Sequence, residues 1–226
     1  MKRASERVFS TESLKQRVNT LKTSLNSVDT GIDILAVTKY YEADKVLQLI
    51  DAGFTELGEN RLQHAIPLIQ SLPSDLNWHF IGPIQTNKLS KIVEYFDVIQ
   101  SVHSEKILNK IIEIAIKKEK YISVYLQVNF TGEENKFGFS EKEISTVLSK
   151  IELPTYVKIR GLMAMGPLTD DTNKIKKCYQ QVFQCFGRLK KTYPFFETLS
   201  MGMTNDFLIA AENGASMVRI GRYFFN

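Results

Sequence analysis

The chain has 226 residues, of which 43% are hydrophobic and 24% are charged, and this apolar share argues against intrinsic disorder because it can bury a sizeable core. The net charge is only +4, with no run of five or more like charges, so the sequence predicts no basic patch for nucleic acid or for a membrane surface. No apolar stretch approaches the ~20 residues of a membrane-spanning helix, which argues against an integral membrane protein.

The two cysteines and the N-terminal residues indicate the cellular compartment. Cys178 and Cys185 lie in a segment of helical pattern, where their spacing puts the Cα atoms about 10 Å apart along the axis. A disulfide needs Cα atoms within about 7 Å, so both thiols are expected to be reduced. The N-terminal charges have no apolar core behind them, unlike those of a signal peptide. We therefore expect a cytoplasmic protein, with neither nucleic acid nor membrane among its partners.

Short apolar, β-branched runs alternate along the chain with amphipathic stretches of helical period. A helix over Thr11–Asn26 is predicted first. The predicted strands are 32–37, 55–57, 78–81, 97–100, 122–128, 157–163, 197–199 and 216–220. Such alternation predicts βαβ units and a parallel sheet, and eight units in this length is the count for a closed (β/α)8 barrel. An open doubly wound sheet is the alternative, although its usual five or six strands leave two runs unexplained.

The predicted fold is therefore α/β, a single (β/α)8 TIM barrel over residues 1–226 with an extra N-terminal helix. In such a barrel the active site is built at the carboxyl ends of the strands. Lys39 directly follows the first apolar run, so its side chain starts at the rim of the core. One interpretation is a rim lysine that extends to water. The other is a desolvated amine that forms a Schiff base with a carbonyl.

The ends of the last two strands favour the second interpretation of Lys39. Ser200 and Thr204 offer hydroxyls where a helix begins, and Gly221 offers a close-approach backbone next to Arg222. In barrels the loops after strands seven and eight frequently form a phosphate site. Each feature alone fits an ordinary helix cap or turn. Together with Lys39 they describe a phosphorylated aldehyde, and pyridoxal 5′-phosphate (PLP) fits that description.

Seven short motifs occur in an order and spacing typical of one protein family. They are AVTK (36–39), GENR (58–61), WHFIG (78–82), QTNK (85–88), GLM (161–163), SMGM (200–203) and RIGR (219–222). On these motifs the chain resembles the pyridoxal-phosphate homeostasis proteins, the YggS/PROSC family, over nearly its whole length. The resemblance implies a single barrel similar to the N-terminal domain of alanine racemases.

The resemblance also implies roles for individual residues. PLP would be held on Lys39 as an internal aldimine, and Arg219 would approach the pyridine nitrogen. Asn60 would neighbour the ring or its O3′, and His79 would support the site from inside the barrel rather than transfer protons. The residues implied to hold the phosphate are Ser200, Thr204 and the backbone of Gly221 and Arg222. Where the family often has serine, this chain has Thr38 and Thr204, which retain the hydroxyl, and Tyr40 stands where a small residue is common.

The resemblance further implies a carrier rather than an enzyme with an assigned turnover. An arginine beside the pyridine nitrogen keeps that nitrogen unprotonated, and an unprotonated ring is a poor electron sink. In alanine racemases the second catalytic base is a tyrosine from a separate C-terminal domain, which we expect to be absent because the sequence ends directly after strand eight. The protein would then bind and buffer PLP and pass it to PLP-accepting apo-enzymes. A monomer is expected, since racemase dimers form partly through the missing domain.

Alternatives remain open at this point. The main one is an alanine-type amino-acid racemase of low activity. A second is a colourless Schiff-base aldolase on the same barrel, with Lys39 attacking a sugar-phosphate ketone. A third is a non-enzymatic interaction module, for which no amphipathic or charge-patterned segment is found. Should Lys39 not carry the cofactor, Lys88, Lys91 and Lys136 are the next candidate lysines.

Overall fold

A computed structural model describes residues 11–131, 137–152 and 154–225, so Lys136 lies outside the described residues. The strands are β1 (Asp33–Val37), β2 (Glu56–Glu59), β3 (Asn77–Phe80), β4 (Val98–Val102), β5 (Ile122–Val128), β6 (Val157–Ala164), β7 (Thr198–Met203) and β8 (Met217–Ile220). The helices are α1 (Thr11–Asn26), α2 (Ala43–Asp51), α3 (Leu62–Ser71), α4 (Leu89–Tyr95), α5 (Glu105–Lys118), α6 (Glu141–Leu148), α7 (Thr172–Thr192) and α8 (Phe207–Glu212), with a 3-10 turn at Thr86–Lys88. Each predicted strand is found, with shifts at some of the ends.

The strands close into a parallel barrel in sequence order, and β8 pairs back to β1. Ala36 of β1 lies opposite Leu57 of β2 on one side, and Asp33 of β1 lies opposite Met217 of β8 on the other. The predicted (β/α)8 barrel is confirmed. The open doubly wound sheet is wrong, because an open sheet would leave β1 or another strand at an edge.

Alternate residues of each strand face the inside and the outside of the barrel. Leu35 and Met217 belong to a small inner apolar cluster that also contains Tyr125. Their chain neighbours Ala36 and Val218 instead join the main core, which the helices share. The strands read as continuous apolar runs in the sequence because a parallel barrel buries both faces of its strands.

Helix α1 covers the part of the barrel next to β8. Residues 222–225, which follow β8 and Gly221, form turns rather than a helix. Helix α1 packs beside α8, and its Arg17 donates hydrogen bonds to the carbonyl oxygens of Tyr223 and Phe224. Leu14 and Leu21 on its inner face are buried in the main core. The helix predicted as an extra element therefore serves as one of the outer helices of the barrel.

Two further expectations concern the cysteines and the membrane. Cys178 and Cys185 are buried on α7 and are not joined by a disulfide, as their spacing predicts. Among the helices that the structure describes, none has both the length and the apolar character needed to cross a bilayer. The single domain over residues 1–226 stays a prediction, and the described elements all contribute to one barrel and its surrounding helices.

Candidate functional site

Lys39 lies just beyond the carboxyl end of β1, where barrels build their active sites. It is two residues past Val37, which pairs with Gly58 of β2, and Asn60 is likewise two residues past Gly58. Because alternate strand residues share a face, Lys39 and Asn60 continue neighbouring rows at the barrel mouth. The lysine is half-buried, and its Nζ lies 4.9 Å from the centroid of the Tyr40 ring.

Asn60 also borders a cavity of about 340 Å³ between the starts of α3 and α4. Arg61 and Lys88 contribute cationic side chains to its lining, and Phe80 and Ile92 contribute apolar ones. Asn60 therefore stands between the barrel mouth and this outer cavity. Its predicted contact with a ligand ring stays a prediction.

Arg219 is a buried cation on β8, with 4% of its surface exposed. Its Nη1 donates to the carbonyl oxygen and to the hydroxyl of Ser200, both at 2.9 Å, and its Nη2 donates to the carbonyl oxygen of Ala164 at 2.8 Å. Burial lowers the pKa of Arg219, while its electrostatic interactions with Tyr179 and Asp206 act in the opposite direction. A guanidinium has five N–H donors, so two of them have no protein partner within the described structure.

Ser200 lies inside β7 rather than in the loop that follows it. The prediction that strand seven ends at residue 199 is wrong, because β7 continues to Met203, which pairs with Arg219 of β8. The Ser200 hydroxyl donates to Oε1 of Gln100 at 2.8 Å and accepts from Arg219. This segment resembles a loop in the sequence because it contains serine and glycine, whereas pairing with β8 extends it as a strand. The assignment of Ser200 to a phosphate stays a prediction.

The ends of β7 and β8 meet through Thr204 and Gly221. The Gly221 N–H donates to Oγ1 of Thr204 at 3.4 Å, and the hydroxyl of Tyr41 donates to the Gly221 carbonyl at 3.0 Å. A Cβ atom on Gly221 would lie 3.2 Å from the carbonyl oxygen of Val37, so glycine allows β8 to end close to β1. The exposed Arg222 follows at the same rim. Sequence reasoning missed Tyr41, for which no motif supplied a signal.

A chain of polar side chains runs from Ser200 into the barrel. Nε2 of Gln100 lies 2.8 Å from Nδ1 of His79, and Nε2 of His79 lies 2.5 Å from Oε2 of Glu56. Asn77 donates to the same carboxylate oxygen at 2.8 Å. These contacts support the predicted structural role of His79. Sequence reasoning missed Gln100, although a glutamine within an apolar strand was a usable signal.

Glu59 is a fully buried carboxyl group at the end of β2, next to the strand that leads to Lys39. The Thr38 hydroxyl donates to its Oε1 at 2.5 Å, and Nδ1 of His64 lies 3.2 Å from the same oxygen. Its Oε2 has no hydrogen-bond partner among the described residues. Burial raises the pKa of Glu59, although the hydrogen bond from Thr38 and the interactions with His64 act in the opposite direction.

We expect Glu59→Gln to change how stability depends on pH. A carboxyl group with a raised folded-state pKa contributes most stability below its unfolded pKa of about 4.3, and this contribution is lost as pH rises through the folded value. Glutamine does not ionise, so the variant should gain stability relative to the wild type between about pH 4 and about pH 8. Urea unfolding of both proteins at these two pH values measures the change. A stability difference that stays constant with pH would contradict the expectation.

Comparison with known proteins identifies the family. The profile of the family described as "Alanine racemase, N-terminal domain" matches residues 9–226. The pyridoxal phosphate homeostasis protein of Haemophilus influenzae is 34% identical over 217 residues, which cover 94% of this chain and 92% of the relative. This chain belongs to the pyridoxal phosphate homeostasis proteins of that family. The protein of the same name from Escherichia coli K12 is 30% identical with the same coverage, so the resemblance seen in the motifs is confirmed.

Solved structures agree with this family and with the fold. PipY of Synechococcus elongatus PCC7942, in its structure without PLP, matches with a TM-score of 0.88 and 30% identity, over 94% of this chain and 100% of that one. The PipY structure with PLP bound matches with a TM-score of 0.84 at the same identity and coverage. An alanine racemase of Clostridium difficile 630 has a TM-score of 0.74 over 95% of this chain and 56% of its own. Its identity is 14%, so that likeness concerns the fold alone.

Proposed function

We propose that this protein binds PLP and acts in PLP homeostasis, holding the cofactor as a Schiff base on Lys39. The observation that carries the proposal is the likeness to PipY, whose structure with PLP bound matches 94% of this chain at 30% identity. This chain is 34% identical to the homeostasis protein of Haemophilus influenzae and 30% identical to that of Escherichia coli. It covers 92% of the length of each. The alanine racemase is only 14% identical, so its likeness supports the barrel fold and neither function.

The residues at the barrel mouth suit PLP, which supplies an aldehyde that condenses with an amine and a ring that withdraws electrons. Lys39 provides a half-buried amine at the end of β1. Arg219 has two N–H groups without a protein partner among the described residues, and they can donate to the pyridine nitrogen. An arginine stays charged and keeps its protons, so the ring nitrogen is left unprotonated and withdraws electrons weakly. This arrangement favours holding the cofactor over turning over a substrate.

The phosphate and ring contacts are part of the same proposal. The residues proposed to hold the phosphate are Ser200, Thr204 and the backbone of Gly221 and Arg222, with Asn60 beside the ring. The contact between Thr204 and the Gly221 amide brings the ends of β7 and β8 together. Hydroxyl and backbone N–H groups are common phosphate partners, which supports a phosphate site there. Ser200 is engaged by Gln100 and Arg219, so a direct contact with phosphate would require it to exchange one of these bonds.

Titration of the purified protein with PLP tests the proposed function. We expect a saturable yellow complex and, after borohydride reduction, a single modified lysine. We expect PLP to be held more tightly than pyridoxal, since the proposed rim binds the phosphate. A protein that stays colourless at saturating PLP would overturn the proposal and favour the aldolase alternative. Interconversion of D- and L-alanine faster than that caused by free PLP would instead favour the racemase alternative.

We further propose that the protein is a monomer that passes PLP to apo-enzymes. A Schiff base exchanges with an incoming amine, and half-burial leaves Lys39 within reach of one. Size-exclusion chromatography with light scattering measures the mass of the loaded protein. Mixing the loaded protein with an apo-enzyme should restore that enzyme's activity faster than the same concentration of free PLP does. Equal rates in the two mixtures would contradict direct transfer.

A further inference from the structure

A continuous chain of hydrogen bonds links Arg219 on β8 to Glu56 at the start of β2. It passes through Ser200 on β7, Gln100 on β4 and His79 on β3. The successive distances are 2.9, 2.8, 2.8 and 2.5 Å. The chain therefore crosses the barrel interior from the proposed ring-binding arginine to the amino end of another strand.

The direction of every bond in this chain follows from its first donor. A guanidinium only donates, so the Ser200 oxygen accepts from Arg219 and its own proton goes to Gln100. That places the amide oxygen of Gln100 toward Ser200 and its amide nitrogen toward His79. Nδ1 of His79 must then accept, which leaves the proton on Nε2, facing the Glu56 carboxylate.

The side chains of this hydrogen-bond chain are buried, so each of them needs its hydrogen-bond partner. Gln100 and Ser200 are fully buried, and His79 is 1% exposed. The inner cluster that contains Leu35 and Met217 shares the barrel interior with them. An unpaired polar group in such a place is destabilising, so each member depends on its neighbours for a partner.

We propose that Gln100 is a positioning residue for PLP binding, because it fixes the Ser200 hydroxyl and through it the orientation of Arg219. This inference rests on the proposed function, since it concerns the ring of bound PLP. The carbonyl oxygens of Ser200 and Ala164 accept two hydrogen bonds from the arginine, and the Ser200 hydroxyl accepts the third. Without the acceptor on Gln100, the hydroxyl proton of Ser200 has no fixed partner. It can then turn toward Arg219, where it hinders the N–H that donates to the same oxygen. The guanidinium then loses one of its three fixed contacts.

A substitution at Gln100 leaves in place the other titratable groups near the two ends of this hydrogen-bond chain. Asp206 and Tyr179 act to raise the pKa of Arg219. Arg160 acts on Glu56 at the far end, and Asp33 is affected by Glu56 in turn. Gln100→Leu therefore alters the orientation of the arginine without removing any of these groups.

A double-mutant cycle tests the proposal on the PLP-loaded protein. Gln100→Leu should release PLP about threefold to tenfold faster, the change expected when one or two buried hydrogen bonds are lost. It should also move the visible absorption band of bound PLP in the same direction as Arg219→Gln. Since both residues act through the same contact, Gln100→Leu should add little to Arg219→Gln in the double variant. Fully additive effects would overturn the proposal.

Two more variants separate positioning from a general loss of packing. Gln100→Glu retains an oxygen that accepts from Ser200, so PLP release should stay within about twofold of the wild type. Ser101→Ala removes a neighbouring buried hydroxyl that has no partner in the described structure, so the absorption band should not move. A shift in Ser101→Ala, or a defect in Gln100→Glu equal to that in Gln100→Leu, would contradict a specific role for the Gln100 acceptor.

The protein without PLP provides an independent measurement. Nitrogen NMR of the His79 ring should find the proton on Nε2 in the wild type and protons on both nitrogens in Gln100→Glu, where a carboxylate oxygen faces Nδ1. A wild-type protein with the proton on Nδ1 would overturn the proposed chain. If PLP does not bind the wild type but the NMR result is as expected, the proposed function fails while the hydrogen-bond chain stands.

Discussion

We expect Lys39→Ala to abolish the covalent attachment of PLP while leaving the barrel folded. The side chain of Lys39 makes no hydrogen bond or ion pair within the described structure, and its one described contact is with the exposed ring of Tyr40. Such an exposed cation–π contact contributes about 0.5–1 kcal/mol, so the loss of stability should be small. The loss of the amine is complete, because alanine cannot form a Schiff base.

Borohydride reduction followed by mass-spectrometric mapping measures the result. The wild type should carry one reduced lysine adduct and Lys39→Ala should carry none, with thermal unfolding showing that both proteins are folded. Lys106→Ala is a matched control, because Lys106 is exposed on α5, is not a candidate anchor and should leave the adduct on Lys39 unchanged. If Lys39→Ala keeps a reducible adduct at one position, another lysine is the anchor. Lys88, Lys91 and Lys136 are then the next to be examined, the last of them outside the described residues.

We expect Gly161→Ala to have the largest effect on folding among simple substitutions in the barrel. Gly161 of β6 pairs with Thr198 of β7, and a Cβ atom there would overlap the carbonyl oxygen of Thr198. Backbone cannot give way as a flexible side chain does, so the two strands must separate, at a cost of about 3 kcal/mol. Two residues of this strand pair, Ala164 and Ser200, supply the carbonyl oxygens that hold Arg219. PLP binding should therefore weaken together with stability.

Gly187→Ala is the matched control for the packing argument. Gly187 lies in the interior of α7, and a Cβ atom there would meet no heavy atom within 4 Å. Alanine is favoured over glycine in a helix by about 1 kcal/mol, so this variant should be as stable as the wild type or more stable. Urea unfolding of the three proteins measures both effects. A Gly161→Ala protein as stable as Gly187→Ala would show that β6 and β7 are less closely paired than described.

The sequence predicted the strands well and their ends less well. Strand β5 was predicted over its observed range, Ile122–Val128, because its apolar run has a clear boundary at both ends. Strand β7 was predicted to end at residue 199 and continues to Met203, because its last residues resemble a loop until β8 is present to pair with them. Hydrophobic pattern shows which residues are buried, whereas strand pairing depends on a partner distant in the chain.

By itself, the sequence determined the number of strand–helix units, the position of Lys39 directly after the first strand, and the family, because these depend on local pattern and motif. Only the tertiary structure decided that β8 pairs with β1 and that Gln100 lies between Ser200 and His79. These three residues come from different strands, and the closed barrel alone brings their side chains together. A hydrogen bond needs a donor and an acceptor about 2.8 Å apart. The residue pattern of one strand shows neither how far its side chains lie from those of another strand nor which donor meets which acceptor.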